Sequence, residues 1–430
     1  MRRYSRVGKF VVGLLLLVAT AVGAAPPADS VILFIGDGMG ANHIAMTQRV
    51  LGRELAMQGM PARGTVRTVN VFGGVTDSAA AATALASGFK TDNGKLGITP
   101  DGRQVETILE RCRRAGKSVG IVTTDQLTGA TPAGFVANVA SRDQAEEIGA
   151  QMLSSGAQVM LSYGDGKAYS PRLDELRRAG YGVALSREEL RRATAPKLIG
   201  FFNEESDQPV PLVAEMTRAA IARLSKNPKG FFLVVEHARI DWEPGDPAAI
   251  VADVKQLDDA VAAAMEYAKQ NGRTLVLVTG DHETGGLRII KPRKLAFLRQ
   301  VNLRGWEIAS HLDETRSNVA AVMAEYAGVK DLRPEEIARI REAEGEDIDW
   351  MLGGIIGEII SARSGIVWTS DGNHTATPVR IFAFGPGAER FAGKLDNTDI
   401  PRRAAAVLGL ADFPAVESGQ AARLRFAAAW

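Results

Sequence analysis

Six short apolar runs, separated by amphipathic stretches, limit most strongly how this chain of 430 residues can fold. Each run has the length of a strand and an apolar centre, which is typical of strands buried on both faces of a sheet. Helical patterns lie between them, such as Gln104–Lys117 and Asp253–Gly272, the second ending at a glycine that favours a helix stop. This alternation predicts an α/β fold, with a mostly parallel central sheet and helices on both faces. The predicted strands are Val31–Gly36, Ser118–Thr124, Ala157–Gly164, Gly230–Glu236, Thr274–Gly280 and Val379–Gly385.

The alternation is interrupted from Lys291 to Gly365, where the sequence is charged and helical. We interpret residues 291–365 as a helical insertion, a cap or an oligomerisation element, in an α/β core formed by residues 26–290 and 366–430. The sequence leaves a second interpretation open, in which these are extra helices packed on the core.

The first 25 residues have the pattern of a secretory signal peptide. Basic residues precede the apolar run Phe10–Val22, and small residues follow it. The run is short for a membrane span, so we expect cleavage near Ala24 or Ala25 and a periplasmic or secreted protein without stable membrane insertion. The single cysteine, Cys112, cannot form an internal disulfide, so an exported chain needs another source of stability, such as metals. The net charge of +1 gives no sign of a nucleic-acid partner.

Several predicted strands end in potential metal ligands. The first strand is followed by Asp37, another ends in Glu236, and a third is followed by Asp281 and His282. Ligands of parallel sheets bind beyond the carboxyl ends of the strands, and so many carboxylates at one edge would repel each other without cations. One such aspartate is usually only a turn or cap residue; the joint pattern indicates metal ions. Asp/His pairs suit zinc, and hard oxygen ligands suit magnesium.

The segment Gly73–Gly88 carries a second kind of signal. Asp77 and Ser78 precede an alanine-rich helix, whose N-terminus is a natural phosphate site. Either residue could simply cap the helix. Capping does not explain why a serine stands beside a metal-type carboxylate, whereas metal coordination is one route by which a serine is activated.

Taken together, these motifs resemble the alkaline phosphatase family. The segment Val75–Thr83 looks like the family's nucleophile signature. The resemblance covers most of the chain in order, apart from the insertion. The other matching segments are Ile35–Gly40, Ala130–Arg142, Val235–Asp241, Gly280–Gly286 and Gly372–Val379.

The resemblance implies a phosphomonoesterase that uses two zinc ions and one magnesium ion per subunit. Ser78 would be the nucleophile and form a phosphoserine intermediate, and Arg142 would clamp two phosphate oxygens. The resemblance also implies small phosphate monoesters as substrates and a homodimeric assembly. By position, the implied ligands are Asp37, Ser78, Asp281 and His282 for one zinc, Asp241 and His374 for the other, and Asp37, Thr131 and Glu236 for magnesium.

One expected zinc ligand is missing. The family has a histidine four residues after the aspartate that corresponds to Asp241, and this chain has Gly245 there. The sequence leaves three explanations: a carboxylate replaces the histidine, with Asp246 preferred to Glu243; a histidine reaches in from elsewhere; or the site is weakened. The unassigned histidines are His43, His237 and His311.

A second departure is Gly129, two residues before Thr131, where the family usually has an aspartate or histidine near the magnesium. Magnesium commonly retains several waters, so we expect glycine there to provide only backbone or room for water. For His237, side-chain alternation along a strand predicts the face opposite to Glu236, and hence a role in packing or in supporting a metal ligand.

Two other functions stay open at this point. A phosphodiesterase or sulfatase of the same superfamily is one, although Ser78 lies in a motif that resembles neither. A phosphate-ester-binding protein with a decayed zinc site is the other, and Gly245 is the observation in its favour.

Overall fold

A ten-stranded mixed sheet with helices on both faces forms the centre of the computed structural model, and it confirms the predicted fold class. The structure describes residues 28–164, 166, 169–203, 209–345, 347–370, 372–410 and 413–414, so the predicted signal peptide lies outside the described residues. The strands are β1 Ser30–Gly36, β2 Ala62–Arg67, β3 Ser118–Val122, β4 Val159–Tyr163, β5 Tyr181–Ala184, β6 Lys197–Phe202, β7 Phe231–His237, β8 Thr274–Gly280, β9 Glu283–Thr284, β10 Arg288–Ile289, β11 Ile366–Val367, β12 His374–Thr375, β13 Val379–Phe384 and β14 Gly393–Asp396.

Helices connect most of these strands. None of the helices within the described residues has both the length and the apolar character that a bilayer span requires. The α-helices are α1 Ala41–Leu51, α2 Ser78–Ser87, α3 Ile108–Arg114, α4 Ala130–Gly134, α5 Ala145–Ser154, α6 Leu173–Arg178, α7 Arg187–Arg192, α8 Val213–Leu224, α9 Arg239–Trp242, α10 Pro247–Asn271, α11 Gly305–Ala309, α12 Val319–Tyr326, α13 Pro334–Arg341, α14 Ile348–Ser364 and α15 Asp399–Val407.

The strand order in the large sheet is β14-β2-β13-β8-β1-β7-β3-β4-β6-β5. The strands from β8 to β5 in this order run parallel, whereas β13 runs antiparallel to both β8 and β2. Central parallel strands are covered on both faces and therefore have almost uninterrupted apolar sequences. This explains why the sequence pattern located β1, β7 and β8 to within a residue at each end.

Each strand divides its side chains between two cores. In β1, Ile32 and Phe34 join the core on one face of the sheet, and Val31, Leu33 and Ile35 join the core on the other. The same alternation in β7 places Glu236 and His237 on opposite faces. The edge where β8, β1, β7 and β3 end is therefore the place at which polar side chains from adjacent strands meet.

The region 291–365 consists of a 3-10 helix, Pro292–Gln300, and helices α11 to α14. The short strands β10 and β11 flank it and pair antiparallel, Arg288 with Val367 and Ile289 with Ile366. Leu295, Ile308 and Ile356 of this region join the same core as helix α10. The two ends of the region are thus held together, and its helices pack on one face of the core.

Candidate active site

The carboxyl ends of three adjacent strands bring the polar side chains together. Asp37 follows β1, Asp281 and His282 follow β8, and Glu236 lies near the end of β7. The register explains their proximity, because Gly36 pairs with both His237 and Gly280, one residue before Asp37 and Asp281. The backbone N–H of Gly38 donates to Asp281 Oδ1 at 3.0 Å, which fixes the loop after β1 against the end of β8.

His282 lies at the centre of this cluster. Its Nε2 atom is 3.2 Å from Asp37 Oδ1, 3.3 Å from Asp281 Oδ2 and 3.3 Å from Ser78 Oγ. The ligand atoms of Asp37, Asp281 and His282 all lie within 4.8 Å of one another, which is compact enough for one metal ion. This group contains the residues that the resemblance implies for the zinc ion beside the serine.

A second compact group consists of Asp241, His282 and His374, whose ligand atoms also lie within 4.8 Å of one another. His374 Nε2 is 3.5 Å from Asp241 Oδ2, and His374 Nδ1 is 3.0 Å from the carbonyl oxygen of Thr76. A carbonyl can only accept, so Nδ1 donates to it, and Nε2 is the ring nitrogen left to face Asp241 or a metal. His282 therefore lies within reach of both groups.

Electrostatics in the two groups differ. Burial, followed by the charges of Asp281 and Asp241, raises the pKa of Asp37 well above its usual value. Burial also disfavours the charged form of Asp241, but the hydrogen bond from His374 and the charges of His282 and His374 outweigh it and lower the pKa of Asp241 to about 2. The carboxylate of Asp241 thus has partners for its charge within the chain, whereas that of Asp37 needs a cation.

The donor atoms fit a bound metal. Among the described residues, Asp37 Oδ1 and Asp281 Oδ2 are buried without a hydrogen-bond donor. Carboxylate oxygens buried in this way are destabilising unless a cation or a proton compensates them. Carboxylates together with imidazole are ligands typical of zinc.

Ser78 begins helix α2, and Asp77 caps it. The carboxylate of Asp77 accepts from the N–H of Ala80 at 2.9 Å and from the N–H of Gly94 at 2.9 Å. Because Asp77 is the cap, the hydroxyl of Ser78 is not used for capping and faces His282 Nε2. Ser78 is 4% exposed. It combines a helix N-terminus, a buried position and a contact with a potential metal ligand.

Arg142 lies on the solvent side of this serine. Its Nη1 atom is 3.4 Å from Asp77 Oδ2, and its backbone N–H donates to the carbonyl of Gly94 at 2.7 Å. The side chain is 39% exposed, so the guanidinium keeps donors available. A guanidinium there can bind two oxygens of an anion that reaches Ser78.

Glu236 and Thr131 lie next to the Asp37 side of the cluster, although Glu236 belongs to neither compact group of the described residues. Burial and then the charge of Asp125 raise the pKa of Glu236 to about 8, against the effect of nearby Thr123 and Thr131 hydroxyls. The Thr123 hydroxyl donates to Glu236 Oε2. Asp125 was not among the site residues expected from the sequence, although it directly follows the predicted strand Ser118–Thr124.

Comparison with known proteins agrees with this arrangement. The alkaline phosphatase family model matches residues 28–167 and 165–410. The chain belongs to the alkaline phosphatase family. Its members are phosphoric monoester hydrolases, and the resemblance seen in the sequence motifs is thereby confirmed.

Curated relatives and solved structures span most of the chain. Alkaline phosphatase 4 of Bacillus subtilis strain 168 is 34% identical over 346 residues, covering 76% of this chain and 75% of the relative. Alkaline phosphatase of Escherichia coli strain K12 is 30% identical, covering 89% and 87%. The crystal structure of Thermus thermophilus alkaline phosphatase aligns with a TM-score of 0.80 at 28% identity, covering 96% of this chain and 100% of that one.

The preferred replacement for the missing histidine is not supported by the geometry. Asp246 caps helix α10: its Oδ1 accepts from the N–H groups of Ala248 and Ala249 at 2.9 and 3.1 Å. Its Oδ2 accepts from the N–H of Gly305 at 2.5 Å. Both oxygens are therefore used by backbone donors, and Asp246 belongs to neither compact group of the described residues.

Glu243 has a different partner. Its Oε1 lies 2.8 Å from Arg304 Nη1, and the same guanidinium binds both carboxylate oxygens of Asp253 at 2.6 and 2.7 Å. Gly245 has a φ of 100°, a conformation that a histidine would adopt only with strain. A histidine at position 245 would therefore need a different backbone conformation.

The unassigned histidines also have other surroundings. His43 Nδ1 accepts from the N–H of Gly40 at 3.1 Å. His237 is buried on the face opposite to Glu236, 3.0 Å from the Thr124 hydroxyl through Nδ1. His311 is exposed and stacks on Tyr326 with 4.1 Å between ring centroids. None of these three joins a compact group within the part of the chain that the structure describes.

The residue after Asp241 lines an open cleft. Trp242, the next residue, is 39% exposed and lines a cavity of about 710 Å³ together with Trp306 and Trp350. Arg239 Cζ lies 5.6 Å from the centre of the Trp242 ring. Two of these tryptophans, Trp306 and Trp350, come from the region 291–365. The cleft therefore has aromatic walls, which come both from the core and from the region 291–365.

Proposed function

We propose that this chain hydrolyses phosphate monoesters through a phosphoserine formed on Ser78. One observation carries the proposal: the Ser78 hydroxyl stands at the N-terminus of α2, 3.3 Å from His282 Nε2, with His282 shared between two compact groups of ligands. The serine oxygen attacks phosphorus, the ester oxygen leaves, and water later cleaves the phosphoserine to regenerate Ser78. In-line phosphoryl transfer asks mainly for positioning and charge stabilisation.

The residues around Ser78 have separate tasks in this proposal. Arg142 binds two nonbridging phosphate oxygens and aligns the phosphorus with the serine oxygen. The first N–H groups of α2 face the same anion and add the positive end of the helix dipole. Asp77 keeps the helix start in place through its cap, and its carboxylate orients Arg142.

Two zinc ions and one magnesium ion fit the donors. In this proposal Asp37, Ser78, Asp281 and His282 hold one zinc, Asp241 and His374 the other, and Asp37, Thr131 and Glu236 the magnesium. Metal ions bound there would lower the pKa of the serine hydroxyl and of water and neutralise charge on the transferred group. Nε2 of His374 faces the ionised Asp241, and a zinc ion bound there would take the place of the proton that these two groups share.

The site without its histidine is proposed to work with fewer protein ligands, since Asp246 and Glu243 have other partners. Solvent completes the set, because Nε2 of His282 is already assigned to the other zinc ion. A zinc site with an open position is the usual arrangement for catalysis.

The region 291–365 is proposed as a cap that forms one wall of the substrate cleft. Arg304 joins it to the core through Glu243 and Asp253, and Trp306 and Trp350 face the cavity that Trp242 lines. Export through the predicted signal peptide and a homodimeric state are further parts of the proposal. Light scattering coupled to gel filtration tests the dimer, and the N-terminal sequence of secreted protein tests the cleavage.

Metal reconstitution tests the function. Metal-stripped protein is supplied with zinc and magnesium, or with cobalt or manganese, and hydrolysis of 4-nitrophenyl phosphate is followed at alkaline pH. We expect zinc plus magnesium to restore turnover. Absence of turnover with every ion, while the ions bind, would leave a phosphate-ester-binding protein. Faster hydrolysis of a bis-aryl phosphate than of the monoester would instead favour a phosphodiesterase.

A further inference from the structure

The backbone does not require glycine at position 129. Gly129 precedes helix α4 with a φ of −58°, a conformation open to any residue. What prevents a side chain is space. A Cβ at this position would overlap Asp125 Oδ2 and would approach Asp125 Cγ to 2.7 Å, closer than non-bonded carbon atoms come. The volume that an aspartate side chain at position 129 would enter is already filled by a carboxylate.

The Asp125 carboxylate has one oxygen available. Its Oδ1 accepts from the N–H of Gln126 at 2.7 Å, and none of the described residues donates a hydrogen bond to Oδ2. The Asp125 backbone N–H donates to Thr123 Oγ1 at 2.9 Å, and the Thr123 hydroxyl in turn donates to Glu236. A short chain of contacts therefore holds Asp125 beside Glu236.

Two polar groups near Glu236 have atoms without hydrogen-bond partners. Thr131 Oγ1 is buried and makes no hydrogen bond of ordinary geometry, although it faces the carboxylate of Glu236. The carboxylate of Asp37 is buried near Glu236, and its Oδ1, which faces His282 Nε2, has no donor. Three carboxylates and a hydroxyl in one place call for a cation.

We propose that Asp125 supplies the carboxylate that Gly129 lacks, and that it binds the magnesium ion together with Glu236, Thr131 and Asp37. This inference rests on the proposed function, because the metal site belongs to it. Oxygen atoms alone form this set, and magnesium prefers such ligands.

Calorimetric titration of the zinc-loaded protein with Mg²⁺ tests the inference without using activity. We expect Asp125→Asn to weaken Mg²⁺ binding by more than about tenfold, since even residues that only support metal ligands have effects of this size. The zinc content, measured by mass spectrometry of the metals, should stay that of the wild type. Asp174→Asn is the matched control, because Asp174 is an exposed aspartate that pairs with Arg177; its Mg²⁺ affinity should be unchanged.

Moving the carboxylate from position 125 to position 129 distinguishes the loss of a metal ligand from the loss of folding. Gly129→Asp alone introduces the overlap with Asp125, and we expect it to lower the melting temperature. The double variant Asp125→Ala, Gly129→Asp removes the overlap and returns a carboxylate to the same volume. We expect it to regain most of the Mg²⁺ affinity that Asp125→Ala loses.

The outcomes separate this inference from the proposed function. Equal Mg²⁺ affinity in Asp125→Asn and wild type would overturn the role of Asp125, as would a wild-type protein that binds zinc but no Mg²⁺, whatever the hydrolysis assay gives. A wild type that binds Mg²⁺ through Asp125 but hydrolyses no phosphate monoester would overturn the proposed function alone.

Discussion

Asp77 and Ser78 are neighbours with different tasks, and the position of the helix start determines the task of each residue. The side chain of the residue before the first helical turn accepts hydrogen bonds from the free backbone N–H groups. Asp77 occupies that position. Ser78 is the first residue inside the helix, so its hydroxyl is left for chemistry. The sequence predicted a helix start at this pair but left open which residue caps it.

Replacing Ser78 with alanine should abolish turnover. We expect kcat for 4-nitrophenyl phosphate to fall by at least about a thousandfold, because nucleophile substitutions in serine enzymes cost that much or more. Ser87→Ala is the control: Ser87 is buried in the same helix and donates to the carbonyl of Thr83 at 2.6 Å. Retention of more than a tenth of the activity in Ser78→Ala would exclude Ser78 as nucleophile.

His237 makes the free energy of unfolding depend on pH. Burial, partly opposed by the charge of Asp253, lowers the pKa of His237 to about 4, below its usual value near 6.5. The folded protein therefore keeps the ring neutral where the unfolded chain binds a proton. The stability involved is fully present above pH 6.5 and is lost as the pH falls towards 4, by about 3 kcal/mol at most.

We therefore expect His237→Gln to reduce the loss of unfolding free energy between pH 6.5 and 4. Urea unfolding at both pH values measures this loss. Metal-stripped protein is used so that release of ions does not contribute to the unfolding free energy. His311→Gln, a change at an exposed histidine, is the control and should keep the wild-type slope. An unchanged slope in His237→Gln would show that other groups govern acid unfolding.

At the scale of elements, the boundary of α10 decided how a site residue was interpreted. The apolar periodicity predicted a helix from Asp253, but the helix begins at Pro247 with Asp246 as its cap. Proline at the first helical position and aspartate before it form a usual helix start. Extending the helix to that signal would have assigned Asp246 to capping, and the preference for it as a metal ligand would have been removed.

Buried strands were easier to predict than exposed ones. The central strands have uninterrupted apolar sequences, whereas β2 alternates between buried and exposed residues and β14 lies at the edge. Such strands carry little apolar signal of their own, because neighbouring strands define them. Asp125 was missed for a related reason: only the folded loop shows that its carboxylate fills the space beside Gly129.

Arg304 joins the region 291–365 to the core, and its removal should destabilise the protein. The side chain is 11% exposed and is shared between Glu243 and Asp253. Arg304→Ala leaves two buried carboxylates without their cation, which costs about 3–5 kcal/mol. Arg339→Ala, which breaks an exposed pair with Glu358, should cost less than about 1 kcal/mol. Equal urea midpoints for the two variants would contradict this connection.

A substitution at Trp350 tests whether the region 291–365 contacts the substrate. If its ring forms a wall of the cleft, Trp350→Ala should raise KM for an aryl phosphate roughly two- to tenfold and leave KM for glycerol phosphate unchanged. The control is Met351→Ala, since Met351 is an exposed neighbour on α14 that does not line the cleft. Equal effects of Trp350→Ala on both substrates would argue against an aromatic contact.

At the scale of the whole molecule, the sheet determines the chemistry. Three adjacent strands end at one edge, so Asp37, Glu236 and Asp281, which are far apart in the sequence, become neighbours through the register. The sequence predicted this convergence because parallel strands share a direction. It did not reveal that His282 stands between two groups of ligands, since this depends on side-chain positions that only the folded chain fixes.

The central claim is the phosphoserine at Ser78, and trapping it tests the claim most directly. Zinc- and magnesium-loaded protein is mixed with a phosphate monoester, quenched in acid, digested and analysed by mass spectrometry. We predict phosphate on the peptide that contains Ser78 and on no other peptide, and none in Ser78→Ala. Steady hydrolysis with no phosphate on Ser78, or phosphate on another residue, would contradict the account.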